Sequence, residues 1–207
     1  MDQQVHRFFG RGVDEPYNAQ AAAQVERAVS TAKAIIVTHE HGDHIAGVIR
    51  GPHAGELAAK TILTTSQVKT LLTSPQMPEI KLTEEMAARY ITLAYDKYYP
   101  VAPGVVLIKA PGHTPGSQMV YVQLDSGREY LLIGDVAWHM DGVREMKIKD
   151  APWITEDQTA LASQLRWLNE LTKTDPRVVI VASHDDDEHA ELIRKGLLGG
   201  RFEDVRK

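Results

Sequence analysis

The segment His39-Glu40-His41-Gly42-Asp43-His44 constrains this chain more than any other, because it places four potential metal ligands within six positions. It follows Ala34-Ile35-Ile36-Val37, a β-branched run bounded by polar residues that predicts a short buried strand. Alternate residues after an extended strand point the same way, so the imidazoles of His39 and His41 are expected on one side. Four ligand-type residues so close together serve no structural purpose of their own, and we interpret the segment as part of a metal site.

Three later ligand-type residues repeat one arrangement, since each directly follows an apolar strand-like run. They are His113 after Val105–Ala110, Asp135 after Leu131–Gly134, and His184 after Val178–Ser183. Folds built on sheets gather sites from distant parts of the sequence at strand ends. The sequence therefore predicts one site with seven candidate ligands at four strand ends.

The chain contains no cysteine, which excludes disulfides, thiolate zinc sites, iron–sulfur clusters and cysteine nucleophiles. A metal must then be bound by histidine and carboxylate. That ligand set suits Zn²⁺ and is also compatible with Fe²⁺ or Mn²⁺.

Composition narrows the classes of function. A length of 207 residues with 43% apolar content is enough for one domain with a real core. The formal charge of -5 disfavours a dedicated nucleic-acid binder. No run approaches the roughly 18 apolar residues of a membrane helix. The acidic, polar start Met1–Gln4 does not resemble an export signal, so a cytoplasmic location is expected.

Strand-like and helix-like segments alternate along the chain, which predicts the α/β class. The predicted strands include Thr61–Thr65, Tyr90–Tyr95, and a hairpin of Gln118–Leu124 with Glu129–Ile133. The predicted helices include Asn18–Ala34, one from Thr155, and Asp185–Leu198. In the second of these helices, Thr155 and Gln158 fit a capping box, and Leu161, Leu165 and Leu168 form an apolar stripe. Trp167 is expected in core or interface packing, and Tyr95, Tyr98 and Tyr99 in a lid or an aromatic cluster.

The successive motifs resemble those of the metallo-β-lactamase superfamily. The resemblance rests on His39-x-His41-x-Asp43-His44, Gly112-His113-Thr114-Pro115-Gly116, Gly134-Asp135 and Ser183-His184, and it spans about Ile35 to His184. It implies an αββα sandwich with a dinuclear site at one edge. By matching positions, it also implies that His39, His41 and His113 bind the first metal, that Asp43, His44 and His184 bind the second, and that Asp135 bridges them.

Such a site implies a metal-dependent hydrolase with two zinc ions per chain and a bridging hydroxide as nucleophile. Its net positive charge would attract a small carbonyl-bearing or anionic substrate, such as an ester, lactone or thioester. Asp43 would orient the nucleophile or take its proton. The lactonase-like members of the superfamily often carry a tyrosine at the position of Trp138, so the resemblance favours a lactonase less strongly here. The neighbouring His139 is a candidate to take the place of that tyrosine.

Two alternatives remain open from the sequence. One is a mononuclear iron dioxygenase acting on a persulfide, which would use only His39, His113 and Asp135 on iron. The other is a remnant without catalytic activity.

The N-terminal part is short for the family resembled. His39 is preceded by 38 residues, in which Val5–Phe9 is the only strand-like stretch before the first predicted helix. We expect a single domain, 1–207, with a reduced N-terminal half. An exposed sheet edge near the N-terminus would then favour a homodimer.

Overall fold

A computed structural model describes residues 18–151 and 154–201. Val5–Phe9 therefore lies outside the described residues, and the homodimer stays a prediction. The chain divides into two compact units, Met1–Ala94 with Gly200–Lys207 and Tyr95–Gly199. We call them the first and the second unit, and the prediction of one domain over 1–207 remains untested.

The first unit contains a parallel sheet of three strands in the order β1-β2-β3. Its elements in chain order are α1 (Ala19–Thr31), β1 (Ile35–Ile36), α2 (Gly42–Ile49), α3 (Ala54–Ala58), β2 (Thr61–Thr64), α4 (Thr65–Thr73), a 3₁₀ turn (Pro78–Ile80), α5 (Glu84–Ala87) and β3 (Ile91–Leu93). Helix α1 begins as predicted, because the Asn18 side chain accepts a hydrogen bond from the backbone N–H of Ala21 at 3.0 Å.

A buried side chain joins α4 to the segment that leads into the histidines. Thr64 and Gln67 form a capping box at the start of α4. The Gln67 amide also donates to the carbonyl oxygen of Val37 at 2.9 Å. This contact satisfies a buried carbonyl and fixes the chain two residues before His39.

The second unit contains a sheet of five strands in the order β4-β5-β6-β7-β8. Its elements are β4 (Tyr98–Ala102), β5 (Val105–Lys109), β6 (Gln118–Gln123), β7 (Glu129–Gly134), α6 (Met140–Arg144), α7 (Gln158–Thr174), β8 (Val178–Ala182) and α8 (Asp186–Arg194). Neighbouring strands are antiparallel except for β7 and β8, which are parallel. A parallel pair needs a crossover, and α6 and α7 supply it.

The core of the second unit forms between α7 and the sheet. Leu161, Leu165 and Leu168 are fully buried in one cluster with Met119, Leu131 and Ile133 of the strands. The predicted leucine stripe is thus confirmed. Trp167 is 44% exposed, so of its two predicted environments core packing is wrong, and interface packing stays a prediction. Its position beside Leu168 turns it off the apolar face.

The start of α7 differs from the prediction. The helix begins at Gln158, and the side chain of Asp157 accepts a hydrogen bond from the N–H of Ala160. The capping box predicted from Thr155 is therefore wrong, since the acid two residues later is the N-cap.

Strand β4 was not predicted. Tyr98 and Tyr99 pair with Ile108 and Leu107 of β5, and β4 lies at the edge of the sheet. Proline cannot donate a hydrogen bond within a sheet, so Pro100 argued against a strand here, but an edge strand tolerates it. The aromatic cluster is present in part, because the rings of Tyr95 and Tyr99 lie 5.9 Å apart.

In the part of the chain that the structure describes, every helix is too short or too polar to cross a membrane.

Candidate metal centre

Four of the predicted ligands lie together in the first unit, and we call them the histidine cluster: His39, His41, Asp43 and His44. The ring centroid of His39 is 5.0 Å from that of His41 and 3.9 Å from that of His44. Asp43 Oδ2 lies 3.3 Å from His44 Nε2. His39 is buried and the other three are partly buried, so the cluster lies in a restricted, polar environment.

The local backbone explains how so many side chains meet. His41 is extended and is the residue before α2, so His39 and His41 precede the helix while Asp43 and His44 lie in its first turn. Gly42 lies between them, and its N–H donates to Gln76 Oε1 at 2.8 Å. A Cβ at this position would lie 2.5 Å from the sulfur of buried Met77, so the close packing requires glycine.

The remaining three predicted ligands lie together in the second unit, and we call them the aspartate cluster: His113, Asp135 and His184. A single oxygen, Asp135 Oδ2, lies 3.5 Å from His113 Nε2 and 3.4 Å from His184 Nε2. His113 and Asp135 are buried, whereas the His184 side chain is 41% exposed. One carboxylate oxygen thus faces two imidazole nitrogens.

Each residue of the aspartate cluster follows a strand end, as predicted. β7 ends at Gly134, which has φ 54°, a left-handed conformation that glycine adopts readily. The pairing with β8 shifts register between Leu132 and Gly134, and irregularities of this kind re-aim side chains next to sites. The backbone N–H of His184 donates to the carbonyl oxygen of Trp138 at 3.2 Å, which joins the two strand ends beyond the sheet.

The turn that carries His113 is fixed by the start of α7. The N–H of Asp157 donates to the carbonyl oxygen of Gly112 at 2.9 Å, and the Gln164 amide donates to that of Pro111 at 2.7 Å. These contacts hold the turn that carries His113 against the first turns of α7.

Donor chemistry and spacing in both clusters fit zinc. Two ligands about 2.0–2.2 Å from one tetrahedral ion lie roughly 3.4 Å from each other. The separations of 3.3 Å for Asp43 and His44, and of 3.5 and 3.4 Å around Asp135, match that value. Neutral imidazoles and carboxylates are also the donors that zinc accepts in the absence of cysteine.

A second layer of contacts surrounds the aspartate cluster. The Nδ1–H of His113 donates to Glu156 Oε1 at 2.5 Å, and Lys149 Nζ lies 2.8 Å from the same oxygen. Burial raises the pKa of Glu156, but the hydrogen bonds and charges of His113 and Lys149 lower it by more, so the net pKa is below its ordinary value. Glu156 is therefore an ionised acceptor. The Trp138 indole N–H donates to Asp135 Oδ2 at 2.8 Å.

Sequence reasoning missed Glu156 and Lys149. They lie 43 residues after His113 and 14 residues after Asp135, the groups they contact, and no local pattern relates them to these partners. The one sequence signal that could have drawn attention to Glu156 is its position directly before Asp157, the N-cap of α7.

His139 and the acidic residues Asp185–Glu188 lie next to the candidate ligands in the sequence but make different contacts. The His139 side chain is 61% exposed, and its Nδ1 lies 4.0 Å from Asp185 Oδ1. Asp185 is the N-cap of α8 and also accepts from the N–H of Met140 at 2.7 Å. Burial raises its pKa, while these backbone hydrogen bonds lower it by more, so the net pKa is depressed. Asp185 thus has a structural role as the cap of α8 and as the acceptor for the start of α6.

Comparison with curated sequences finds lactonases. An N-acyl homoserine lactonase of Bacillus thuringiensis is 27% identical over 90 residues, which is 44% of this chain and 34% of that protein. The match therefore covers about a third of the relative's length. No family model matches the chain.

Comparison with solved structures finds lactone hydrolases and a probable metal-dependent hydrolase. An N-acyl homoserine lactone hydrolase with the product N-hexanoyl-L-homoserine at its catalytic metal centre is 22% identical, with a TM-score of 0.61 over 79% of this chain and 60% of that one. A probable metal-dependent hydrolase from Staphylococcus aureus is 17% identical, with a TM-score of 0.65 over 90% and 66%. A dizinc quorum-quenching lactonase is 16% identical, with a TM-score of 0.60 over 84% and 65%. At these identities the likeness concerns the fold.

Proposed function

Because the chain has the metallo-β-lactamase fold, we propose that it is a metal-dependent hydrolase that opens a lactone or a related small ester. The observation that carries the proposal is the position of Asp135 Oδ2, 3.5 and 3.4 Å from two imidazole nitrogens. A carboxylate oxygen so placed is suited to bridge two metal ions. The relatives that bind or hydrolyse N-acyl homoserine lactones make these compounds the first substrates to test.

The proposed ligand set uses both clusters. His39, His41 and His113 would bind one zinc ion, Asp43, His44 and His184 the other, and Asp135 both. Each cluster offers fewer donors than two tetrahedral sites require, and together they supply enough. The dizinc lactonase among the solved structures supports the choice of zinc.

When bound, two zinc ions would supply an ionised water as nucleophile near neutral pH and would polarise the carbonyl oxygen of the substrate. The residues of the chain provide the rest. Asp43 would accept the proton of the attacking water or orient it. The Trp138 indole donates to Asp135 Oδ2 and so fixes the carboxylate. Since that N–H is already donated, Trp138 would act through Asp135 rather than by donating to the substrate.

The first prediction concerns Asp135→Ala. Loss of an outer contact of a metal ligand costs about 10–100-fold in affinity or activity, so loss of the bridging ligand itself should cost at least about 100-fold in kcat/KM. The measurements are elemental analysis after dialysis and hydrolysis of a panel of N-acyl homoserine lactones, simple lactones and aryl esters. Asp125→Ala, in the exposed turn between β6 and β7, is the matched control and should behave like the unaltered protein.

The outcomes separate the alternatives. Close to two zinc ions per chain with lactone hydrolysis supports the proposal, whereas a single iron with oxygen uptake on a persulfide points to the dioxygenase. Zinc-replete protein that hydrolyses no member of the panel would indicate a remnant. Near-normal hydrolysis by Asp135→Ala would refute the ligand assignment.

A further inference from the structure

Lys149 and Glu156 form a buried ion pair close to the aspartate cluster. Their charged atoms lie 2.8 Å apart, and the side chains are only 7% and 6% exposed. Both lie in the connection between α6 and α7. A buried pair contributes little net stability compared with apolar residues of similar volume, so its presence calls for another role.

The contacts of the pair lead to the proposed metal ligands. Glu156 Oε1 accepts from Nδ1 of His113 at 2.5 Å. Lys149 Nζ donates to the backbone carbonyl oxygen of Asp135, lies 3.4 Å from that of Val136, and is 5.7 Å from the centroid of the Trp138 ring. Glu156 thus contacts one predicted ligand, while Lys149 contacts the backbone of another and reaches the first through Glu156.

We infer that Lys149 and Glu156 are positioning residues that control the affinity of the two metal sites unequally. The inference rests on the proposed function and ligand set. Glu156 acts on His113 and therefore on the first metal, and Lys149 acts also on bridging Asp135 and therefore on both.

The physical reason lies in the two nitrogens of His113. Glu156 Oε1 lies 2.5 Å from Nδ1 of His113 and 2.8 Å from Lys149 Nζ, so this oxygen is an acceptor that places the ring proton on Nδ1 and leaves the lone pair of Nε2 for the metal. A charge-assisted hydrogen bond is about twice as strong as a neutral one, so the carboxylate also raises the basicity of the imidazole. Lys149 holds the Glu156 carboxylate in place through their ion pair and anchors the end of β7 through the Asp135 carbonyl.

The test is a zinc titration of the metal-free full chain in competition with a chelator, with folding checked by far-UV circular dichroism. The unaltered protein should bind two zinc ions. Glu156→Gln keeps the shape of the side chain and should weaken one binding step by about 10–100-fold while leaving the other unchanged. Lys149→Met should weaken both steps.

Matched controls lie in the same connection. Glu145→Gln and Lys147→Met make the same chemical changes at exposed positions and should titrate like the unaltered protein. Cobalt(II) gives a second readout, since its visible absorption bands should change for one site in Glu156→Gln.

Several results would overturn the inference. Glu156→Gln that binds both ions normally, or that loses both equally, would overturn it while leaving the proposed function intact. Failure of the unaltered protein to bind zinc would overturn both. If Lys149→Met does not fold, the single-step effect in Glu156→Gln decides the question, because that variant keeps a hydrogen-bond acceptor at the same place.

Discussion

The position of Asp135 depends on one backbone conformation. Gly134 has φ 54°, where an L side chain brings its Cβ too close to the following carbonyl oxygen, at a cost of about 1–2 kcal/mol. We expect Gly134→Ala to lower the free energy of unfolding by about that amount and to weaken zinc binding, because the carboxylate is displaced. Urea unfolding and zinc titration measure the two effects.

A glycine elsewhere provides a control of opposite sign. Gly47 is exposed within α2, and a Cβ there would have no atom within 4 Å. Gly47→Ala should therefore stabilise the protein by about 0.5–1 kcal/mol. A Gly134→Ala variant as stable as the unaltered protein would show that the turn before Asp135 is free to relax.

At the scale of residues, the sequence was sufficient to predict candidate ligands that stand in a recognisable local pattern. The histidine cluster is four residues in one short segment, and the aspartate cluster is three polar residues after apolar runs. The roles of Glu156 and Lys149 could not be predicted, because they arise from contacts with residues distant in the sequence. A charged residue in a loop is typically solvated, and only its burial distinguishes it.

At the scale of elements, α7 tests which residue begins a helix. Asp157 caps the helix through the N–H of Ala160, whereas Thr155 is exposed and lies outside it. Asp157→Ala should cost about 1 kcal/mol of unfolding free energy, and Thr155→Ala should stay within about 0.5 kcal/mol of the unaltered protein. Thermal or urea unfolding of the two variants measures the difference. The reverse order of effects would restore the capping box predicted from the sequence.

The elements predicted well are those whose pattern and environment agree. Strands β5 to β8 are short β-branched or alternating runs, and the leucines of α7 recur at helical spacing. Strand β4 was not predicted because its residues are mostly exposed, so that no buried face imposes alternation, and because Pro100 argues against a strand. Trp167 is not part of the core, because its angle around α7 places it off the leucine stripe, and interface packing stays a prediction for it.

At the scale of the whole molecule, the proposed ligand set predicts that zinc links the stabilities of the two units. A ligand that binds only the folded state stabilises it by RT ln(1 + [L]/Kd), about 4 kcal/mol at a thousand times Kd. The chain has three tryptophans, and the two that the structure describes, Trp138 and Trp167, belong to the second unit, so their fluorescence reports on that unit. Zinc should raise the midpoint of the fluorescence-detected thermal transition.

Removal of ligands from the first unit should remove most of that rise. We expect the combined variant His41→Ala and His44→Ala to lose most of the zinc-dependent rise in the midpoint of the fluorescence-detected thermal transition, although neither residue belongs to the second unit. His53→Ala is the matched control, because the His53 side chain belongs to the first unit, is 47% exposed and lies outside the histidine cluster. A shift that persists in the double variant would mean that His113, Asp135 and His184 bind zinc without the first unit, and the shared dinuclear centre would then be wrong.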